Sequence, residues 1–266
     1  MVIRAMFPTA ILGMAVLTSN LDAQYRSRLN CRDHDDHWGE TFCEVKEQTL
    51  KPGRGPVRVN AHPNGGVTVI GWDKNEIELR AEIRARARSE DRAAEIGQAV
   101  EIVVSGLDIS ADGPRSRGRE WWSVNFELRV PRNSDLWIRA QNGGIEVAQV
   151  KGEIDLETLN GGLSLQDLGG NVRAETTNGG VDVELNGSRW DGVGLDVRTI
   201  NGGVDLAVPE RYSADLETGT VNGGIDIDFP VQVRGRLTRR INTKLGDGGP
   251  PIRVVTTNGG VSIRRS

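Results

Sequence analysis

The sequence is poor in the residues that build metal centres and nucleic-acid surfaces. Its 266 residues include two cysteines and three histidines, which leaves a tetrahedral Cys/His zinc site short of ligands. The formal net charge is −4 and aromatic residues make up 5%, so the basic footprint of a nucleic-acid-binding protein is missing. Hydrophobic residues at 37% still suffice for one large folded domain, and the abundant residue is glycine, with 34 copies.

The N-terminus carries the pattern of a targeting signal. Arg4 precedes a mostly apolar run over residues 5–18, and Leu21-Asp22-Ala23 offers a small residue before a cut at Gln24. This run is too short to span a bilayer, and no later segment approaches a membrane span. We predict a cleaved signal peptide over residues 1–23 and an exported chain in the periplasm, the cell envelope or the extracellular space.

Two cysteines follow the predicted cut. In an exported chain, Cys31 and Cys43 are most simply a disulfide that closes an acidic loop. The alternative is a metal cluster, because closely spaced His and Asp side chains can chelate zinc or copper; its members would be Asp33, His34, Asp36 and His37. We favour the disulfide and predict neither a metal nor another cofactor.

An internal repeat dominates the rest of the chain. The triplet Asn-Gly-Gly begins at seven positions: Asn64, Asn142, Asn160, Asn178, Asn201, Asn222 and Asn258. From the second copy onward the spacings are 18, 18, 23, 21 and 36 residues. The third and fifth residues after each Asn are apolar, as in Val181 and Val183, and in five copies a Thr stands two positions before the Asn. This alternation predicts a half-buried strand on each side of the triplet.

Two all-β architectures fit these units. Asn-Gly is a strong hairpin signal, so the units could form an antiparallel β-sandwich. A single-stranded β-solenoid, with one unit per coil, explains better why Thr, Asn and apolar residues recur at the same offsets, since like residues then stack. We favour the solenoid, with Asn-Gly-Gly at its corners because Asn tolerates left-handed backbone and glycine allows a sharp bend.

The region between the first two triplets differs. Residues 89–100 read as one amphipathic helix that caps an open end of the sheet. The alternation of Trp122, Val124, Phe126 and Leu128 predicts another strand. We therefore divide the chain into the signal peptide, a disulfide-closed segment over residues 24–60 and a solenoid domain over residues 61–266 with the helical insertion.

These features together resemble a known family. The Asn-Gly-Gly units, Gly71-Trp72-Asp73, the strand from Trp122 to Pro131 and the closing Leu245-Gly246-Asp247-Gly248-Gly249 are similar to bacterial β-strand-repeat proteins catalogued as adhesins without established function. The similarity covers roughly residues 43 to 266. It implies an exported β-solenoid at the cell envelope, and it brings no catalytic residues.

The candidate binding residues point away from the predicted core. Asp182, Asp205 and Asp226 should lie on neighbouring rungs, where stacked carboxylates repel unless a cation bridges them. We interpret them as a hydrated acidic face rather than a Ca²⁺ site. Trp121 and Trp137 are outward-facing aromatics that could stack on a sugar or pack against the helix or the N-terminal segment.

The sequence favours binding over catalysis. Acids are scattered over regular units, whereas glycoside hydrolysis needs two carboxylates across a cleft. Serine-hydrolase, zinc-protease and phosphate-loop motifs are absent. We predict a non-enzymatic, adhesin-like or structural envelope protein whose partner is a cell-surface glycan or an envelope protein; the alternative is a carbohydrate-active β-helix lyase or hydrolase.

Overall fold

The part of the chain that the structure describes is all-β with one short helix. The computed structural model describes residues 29, 31, 39–228 and 239–266. The predicted signal peptide and the cluster of Asp33, His34, Asp36 and His37 lie outside these residues. No helix in the described ranges is long and apolar enough to cross a membrane.

Within the described ranges, twenty strands form two open sheets of ten strands each. In chain order the elements are β1 (Glu40–Leu50), β2 (Val57–Asn64), β3 (Val67–Trp72), β4 (Ile77–Ala87), α1 (Glu90–Gln98), β5 (Glu101–Ser105), β6 (Asp108–Asp112), β7 (Trp121–Pro131), β8 (Leu136–Asn142), β9 (Ile145–Ala148), β10 (Lys151–Asn160), β11 (Leu163–Gln166), β12 (Gly169–Asn178), β13 (Val181–Glu184), β14 (Gly194–Asn201), β15 (Val204–Val208), β16 (Ala214–Asn222), β17 (Ile225–Ile227), β18 (Arg240–Leu245), β19 (Pro251–Asn258) and β20 (Val261–Arg265). Sheet A has the order β1-β4-β7-β3-β9-β11-β13-β15-β20-β17, and sheet B has the order β18-β16-β19-β14-β12-β10-β8-β2-β6-β5.

Each Asn-Gly-Gly corner connects sheet B to sheet A. At Asn160, for example, β10 of sheet B ends and the chain turns into β11 of sheet A. Successive units then pair in parallel and in register, so that Asn160 lies beside Asn142 on one side and Asn178 on the other. A hairpin would pair its two strands with each other. The antiparallel-hairpin alternative is therefore wrong for these units, and the fold is β-solenoid-like.

The order of the rungs in space differs from their order in the chain. The last unit, β19 and β20, inserts between the unit of β14 and β15 and the unit of β16 and β17. Strand β18 closes the outer edge of β16 in antiparallel pairing. The inserted unit completes parallel ladders on both of its sides, so it satisfies backbone groups that would otherwise lack partners.

The core lies between the two sheets. The inward residue of each rung is buried, as Val183, Leu206 and Val254 show, and these side chains form one continuous apolar cluster. Helix α1 packs over β1 and β4 at the end where sheet A becomes antiparallel, with the ring of Phe42 against Gly97. The predicted boundary between residues 60 and 61 falls inside β2, and β1 also belongs to sheet A.

Candidate functional site

The seven corner asparagines form one continuous ladder of side-chain amides. In six of them the Nδ2 donates to the Oδ1 of the neighbouring rung, with donor–acceptor distances between 2.8 and 3.0 Å. At the end of the ladder, the Nδ2 of Asn64 donates to the carbonyl oxygen of Trp122. In space the ladder runs Asn64, Asn142, Asn160, Asn178, Asn201, Asn258 and Asn222. Each interior amide thus uses one donor and one acceptor within the stack, which ties the rungs together.

The first glycine of the triplet is required by close packing between rungs. A Cβ on Gly179 would lie 2.0 Å from the carbonyl oxygen of Gly161, whereas one on the second glycine, Gly180, would have its nearest neighbour at 3.7 Å. Positive φ among the described non-glycine residues occurs at Gln149 and Asp167, both in the opposite turns. The prediction of a left-handed backbone at the corner Asn is therefore wrong. The corner needs glycine after the Asn because the neighbouring rung leaves no room for a Cβ there.

The recurring threonine completes this corner. The carbonyl of the first glycine accepts the hydroxyl of a buried Thr from the adjacent rung at distances between 2.7 and 2.9 Å. The members of this column are Thr158, Thr176, Thr199, Thr220 and Thr256. The sequence analysis found this Thr column but not its role. The Thr hydroxyl gives the glycine carbonyl oxygen a hydrogen-bond donor, which the asparagine ladder does not supply.

The outer face of sheet B includes a column of charges that alternate in sign. Across neighbouring strands one column runs Asp108, Arg58, Trp137, Asp155, Arg173, Asp196, Arg253 and Glu217. Arg253 lies between two acids and pairs with both, at 2.8 Å to Asp196 and 3.3 Å to Glu217. Arg173 also lies between two acids, and Arg58 lies between Asp108 and Trp137. In-register stacking favours such opposite-charge neighbours.

The outer face of sheet A carries an acidic column instead. In space this column runs Thr68, Glu146, Ser164, Asp182, Asp205, Ser262 and Asp226, without a lysine or arginine. Asp182 and Asp205 are neighbours as expected. Asp205 and Asp226 are not, because the inserted β20 places Ser262 between them, which corrects the prediction of three adjacent carboxylates. Within the described residues, no ion pair is formed by any of these three aspartates.

A shallow depression, here called the glycine trough, follows this acidic column. Its floor is backbone, because the second glycine of each corner has no side chain. One part, of about 350 Å³, is lined by Gly66, Gly144, Gly162, Asp182 and also by Leu29 from the N-terminal segment. A second part, of about 430 Å³, is lined by Gly203, Gly260, Asp205, Ser262 and Asp226.

The exposed tryptophans lie on opposite faces. Trp121 belongs to the outer side of sheet A, whereas Trp137 lies on sheet B, where the guanidinium of Arg58 stacks 4.5 Å from its ring centre. Trp137 is 46% exposed, and helix α1 packs on β1 and β4 of sheet A rather than on the sheet that carries Trp137. The five predicted binding residues therefore do not share one surface. Sequence reasoning missed Arg58, because the pairing of β2 with β8 spans 79 residues of chain.

The predicted disulfide between Cys31 and Cys43 is present. Its sulfur atoms and a carboxylate oxygen of Glu82 all lie within 4.8 Å of one another. Glu82 alternates with core residues on β4 and so belongs to the outer face, yet it is 2% exposed. The described part of the N-terminal segment thus approaches the outer side of sheet A.

The resolved pKa shifts follow from ion pairs and burial. Burial raises the pKa of the Asp196 carboxyl, but hydrogen bonds from Arg198 and Arg253 outweigh it, so that this pKa falls below its usual value. A hydrogen bond from Arg92 lowers the pKa of Glu120. Burial raises the pKa of Tyr212 to about 12. The two shifted carboxyls belong to ion pairs in different regions of the surface, which is a structural arrangement rather than a catalytic one.

In-register parallel rungs wound between two sheets define a β-solenoid-like repeat domain. The chain belongs to the Toastrack DUF4097 family, whose model matches residues 121–264. The resemblance found in the sequence is thereby confirmed. Among curated proteins, none matches this chain.

Several solved structures are similar to this one. A putative cell adhesion protein from Clostridium sporogenes is 10% identical, with 85% of this chain and 100% of that chain covered and a TM-score of 0.45. A putative adhesin from Bacteroides fragilis is 9% identical, with coverages of 84% and 97% and a TM-score of 0.37. A putative lipid binding protein from Parabacteroides distasonis is 9% identical, with coverages of 84% and 96% and a TM-score of 0.27. At these scores the likenesses carry no argument about function.

Proposed function

We propose that this protein is an exported, non-enzymatic binding protein of the cell envelope that contacts its partner through the outer face of sheet A. One observation carries the proposal: chemically active side chains are arranged one per rung in long columns. Catalysis requires several groups to converge on one reacting atom. A column spreads its groups along the solenoid, which suits contact with an extended or repetitive partner.

The acidic column is the part of this surface that stability does not explain. Like charges on neighbouring strands destabilise a sheet, and the column of sheet B from Asp108 to Glu217 has none side by side. Asp182 and Asp205 are nevertheless adjacent on sheet A. A surface that retains an unfavourable arrangement is a reasonable place to expect a partner, which for this function would be a cell-surface glycan or an envelope protein.

A glycan contact has a second candidate location. Trp137 offers an exposed ring, and aromatic rings bind sugars by stacking. The neighbouring Arg58, Arg139 and Asp155 supply polar groups for sugar hydroxyls, with Arg139 held 2.9 Å from Asp155. This surface lies on sheet B, so a variant can separate it from the acidic column.

The decisive experiment is a glycan and polysaccharide array together with solubilised envelope proteins, scored for both binding and cleavage. The acidic-column variant changes Asp182, Asp205 and Asp226 to Asn, and the ring variant is Trp137→Ala. The matched control removes three exposed acids elsewhere through Glu90→Gln, Asp91→Asn and Glu101→Gln. We expect binding without cleavage, lost in the acidic-column variant and kept in the control. Cleavage of a polysaccharide would establish the carbohydrate-active enzyme instead.

Export has a separate test. Non-reducing mass spectrometry of material from a periplasmic or secreted fraction should show a chain that begins at Gln24 and is two hydrogens lighter than the reduced form. An uncleaved chain with free thiols at Cys31 and Cys43 would contradict both export and the role of the disulfide.

A further inference from the structure

We propose that a cleft on sheet B, together with the exposed ring of Trp137 beside it, binds a neutral oligosaccharide. The cleft, here called the sheet B cleft, has a volume of about 590 Å³ and lies where β8, β10 and β12 begin. The inference rests on the proposed function and deepens it, because it gives the glycan partner a binding site and a chemical class.

The polar side of the sheet B cleft comes from three neighbouring strands. Asp135 precedes β8, Glu153 lies near the start of β10, and Asn171 lies near the start of β12. In-register pairing places Glu153 beside Asn171, and the backbone N–H of Glu153 reaches the carboxylate of Asp135. Because adjacent strands lie about 4.8 Å apart, the three side chains follow one another over roughly 10 Å. Gly152 and Gly170 also line the cleft and have no side chain to fill it.

Hydrogen bonds within the cleft hold these polar side chains in place. The Oδ1 of Asp135 accepts the N–H of Glu153 at 2.8 Å, and the Oε2 of Glu153 accepts the Nδ2 of Asn171 at 2.9 Å. Each side chain has a further oxygen, in the carboxylates of Asp135 and Glu153 and in the amide of Asn171. Acceptors that are fixed in advance bind sugar hydroxyls with little loss of side-chain entropy.

The end of the cleft toward β2 and β6 is apolar. It is lined by Pro52, Val57 and Leu107, and Gly53 lies so close to Leu107 that a Cβ would be 3.2 Å from that side chain. A ligand in the cleft therefore meets hydrogen-bonding groups on one side and carbon atoms at this end. This combination fits a sugar, because a sugar ring has hydroxyl groups at its edge and C–H groups on its faces.

Trp137 extends the site with an aromatic ring. It follows Asp135 by two residues, and both are exposed on the outer face of sheet B, about 7 Å apart along the chain. Trp137 interrupts the column of alternating charges between Arg58 and Asp155, yet it is 46% exposed. The guanidinium of Arg58 stacks from β2, which lies on the side of β8 away from β10. The side of the ring toward β10 and the cleft is thus the side for a sugar to stack on.

The charge of the cleft selects the class of ligand. Among its described lining residues the charged ones are Asp135, Glu153 and Lys151, and the Nζ of Lys151 lies 2.6 Å from the carboxylate of Asp191. The remaining carboxylates repel an anionic polysaccharide. A peptide added as a strand needs an open sheet edge, whereas β8, β10 and β12 have neighbours on both sides. A neutral oligosaccharide meets neither obstacle.

Isothermal titration calorimetry on the disulfide-intact protein tests this site with cellohexaose, maltohexaose and hexa-N-acetylchitohexaose. The cleft variant, Glu153→Ala with Asn171→Ala, removes both members of one hydrogen-bonded pair, so neither loses its partner alone. The matched control is Glu101→Ala with Asp112→Ala, two exposed residues that face each other on β5 and β6 of the same sheet. We expect at least one probe to bind at least tenfold more weakly to the cleft variant and to Trp137→Ala, and equally to the control.

The same titrations can overturn the proposal. Binding of none of the three neutral probes would contradict it, as would equal affinity in the cleft variant and the wild type. Hexagalacturonate and hexalysine are the charged comparisons. Binding of hexalysine in place of the neutral probes, lost in the cleft variant, would make the cleft a site for basic peptides instead.

A second measurement needs no substitution, which covers the case of a variant that does not fold. N-bromosuccinimide oxidises accessible tryptophan rings, and mass spectrometry of peptides locates the oxidation. The bound hexasaccharide should slow oxidation of Trp137 at least fivefold. Trp121, exposed on sheet A, is the internal control and should react at an unchanged rate. Equal protection of both rings, or of neither, would refute binding at the sheet B cleft.

The acidic-column variant separates this inference from the proposed function. If it loses binding on the array while the cleft variant and Trp137→Ala keep it, the sheet B cleft is refuted and the contact through sheet A stands. If the cleft variant and Trp137→Ala lose binding while the acidic-column variant keeps it, the cleft is supported and the contact through sheet A is refuted.

Discussion

The outer faces of the two sheets use the same rungs in opposite ways. On sheet B, Arg253 lies between Asp196 and Glu217 in a column where charges alternate from strand to strand. On sheet A the corresponding column places Asp182 beside Asp205 and contains no base. The two sheets pack on the same core and are joined by the same corners. The difference between their outer faces therefore lies in the outward side chains. The alternating column of sheet B shows the arrangement that in-register stacking favours for stability, and the acidic column of sheet A departs from it.

The largest expected effect concerns the core that the two faces share. Leu206 is 0% exposed and points inward from β15, whereas its neighbour Asp205 points outward on the same strand. Leu206→Asp buries an unpaired charge and should cost about 3 kcal/mol or more of unfolding free energy. Asp205→Asn should change it by less than about 0.5 kcal/mol. Equal urea midpoints for the two variants would contradict the inward and outward assignment of β15.

The corner between the faces gives the next effect. Gly179→Ala places a Cβ 2.0 Å from a carbonyl oxygen, so neighbouring rungs must separate, while Gly180→Ala meets nothing nearer than 3.7 Å. We expect Gly179→Ala to lower the free energy of unfolding by about 2 kcal/mol or more, and Gly180→Ala to lower it by about 1 kcal/mol or less. Thermal melts measure both. If Gly180→Ala proves the more damaging, close packing is not what the first glycine provides.

The charge patterns themselves are compared by a matched pair of substitutions. Asp196→Asn removes a carboxylate that accepts from Arg198 and Arg253, and should cost about 1 kcal/mol. Asp182→Asn removes a like-charge neighbour of Asp205 and should be neutral or slightly stabilising at low salt. Double-mutant cycles with Arg253→Met at low and high salt measure the pairing. A larger loss for Asp182→Asn would reverse the comparison.

This pair also has a pH signature. The ion pairs lower the pKa of folded Asp196 below its unfolded value, so its contribution to stability is present above the unfolded pKa of about 3.9. The contribution disappears as the pH falls through the folded pKa. The wild type should therefore no longer be more stable than Asp196→Asn once the pH is well below about 4. An unchanged difference at pH 2 would be inconsistent with this linkage.

The smallest expected effect is that of calcium on the acidic column. Ca²⁺ takes six to eight oxygen ligands, whereas Ser164 and Ser262 interrupt the column and Asp205 lies two rungs from Asp226. Millimolar Ca²⁺ should leave the melting temperature as it is in Na⁺ of equal ionic strength. Binding of Ca²⁺ to the folded protein would raise the free energy of unfolding by about 2.7 kcal/mol at a hundredfold excess over Kd. A selective rise that Asp205→Asn removes would prove sheet A to be a cation surface.

Local pattern was sufficient to predict the strands on each side of a triplet, the strand β7 and the helix. Alternation placed Val183 and Leu206 in the core, and residues 89–100 gave α1 over Glu90–Gln98. Ser89 is its N-cap residue, although its side chain makes no capping hydrogen bond. The candidate site was harder to predict, because Trp121 and Trp137 look equivalent in an alternating strand. Which sheet each strand joins depends on pairing between distant segments.

The sequence by itself determined the repeat: its period, its inward residues and the Thr-x-Asn-Gly-Gly corner, since each follows from contacts that every unit makes with its neighbours. Only the tertiary structure decided the order of those neighbours. In chain order, the acids Asp196 and Glu217 precede Arg253, and Asp205 and Asp226 belong to consecutive triplets. Insertion of the last unit between the two preceding ones places Arg253 between Asp196 and Glu217 and Ser262 between Asp205 and Asp226. A rung can occupy any slot where both of its edges find partners, so no local pattern specifies which slot that is.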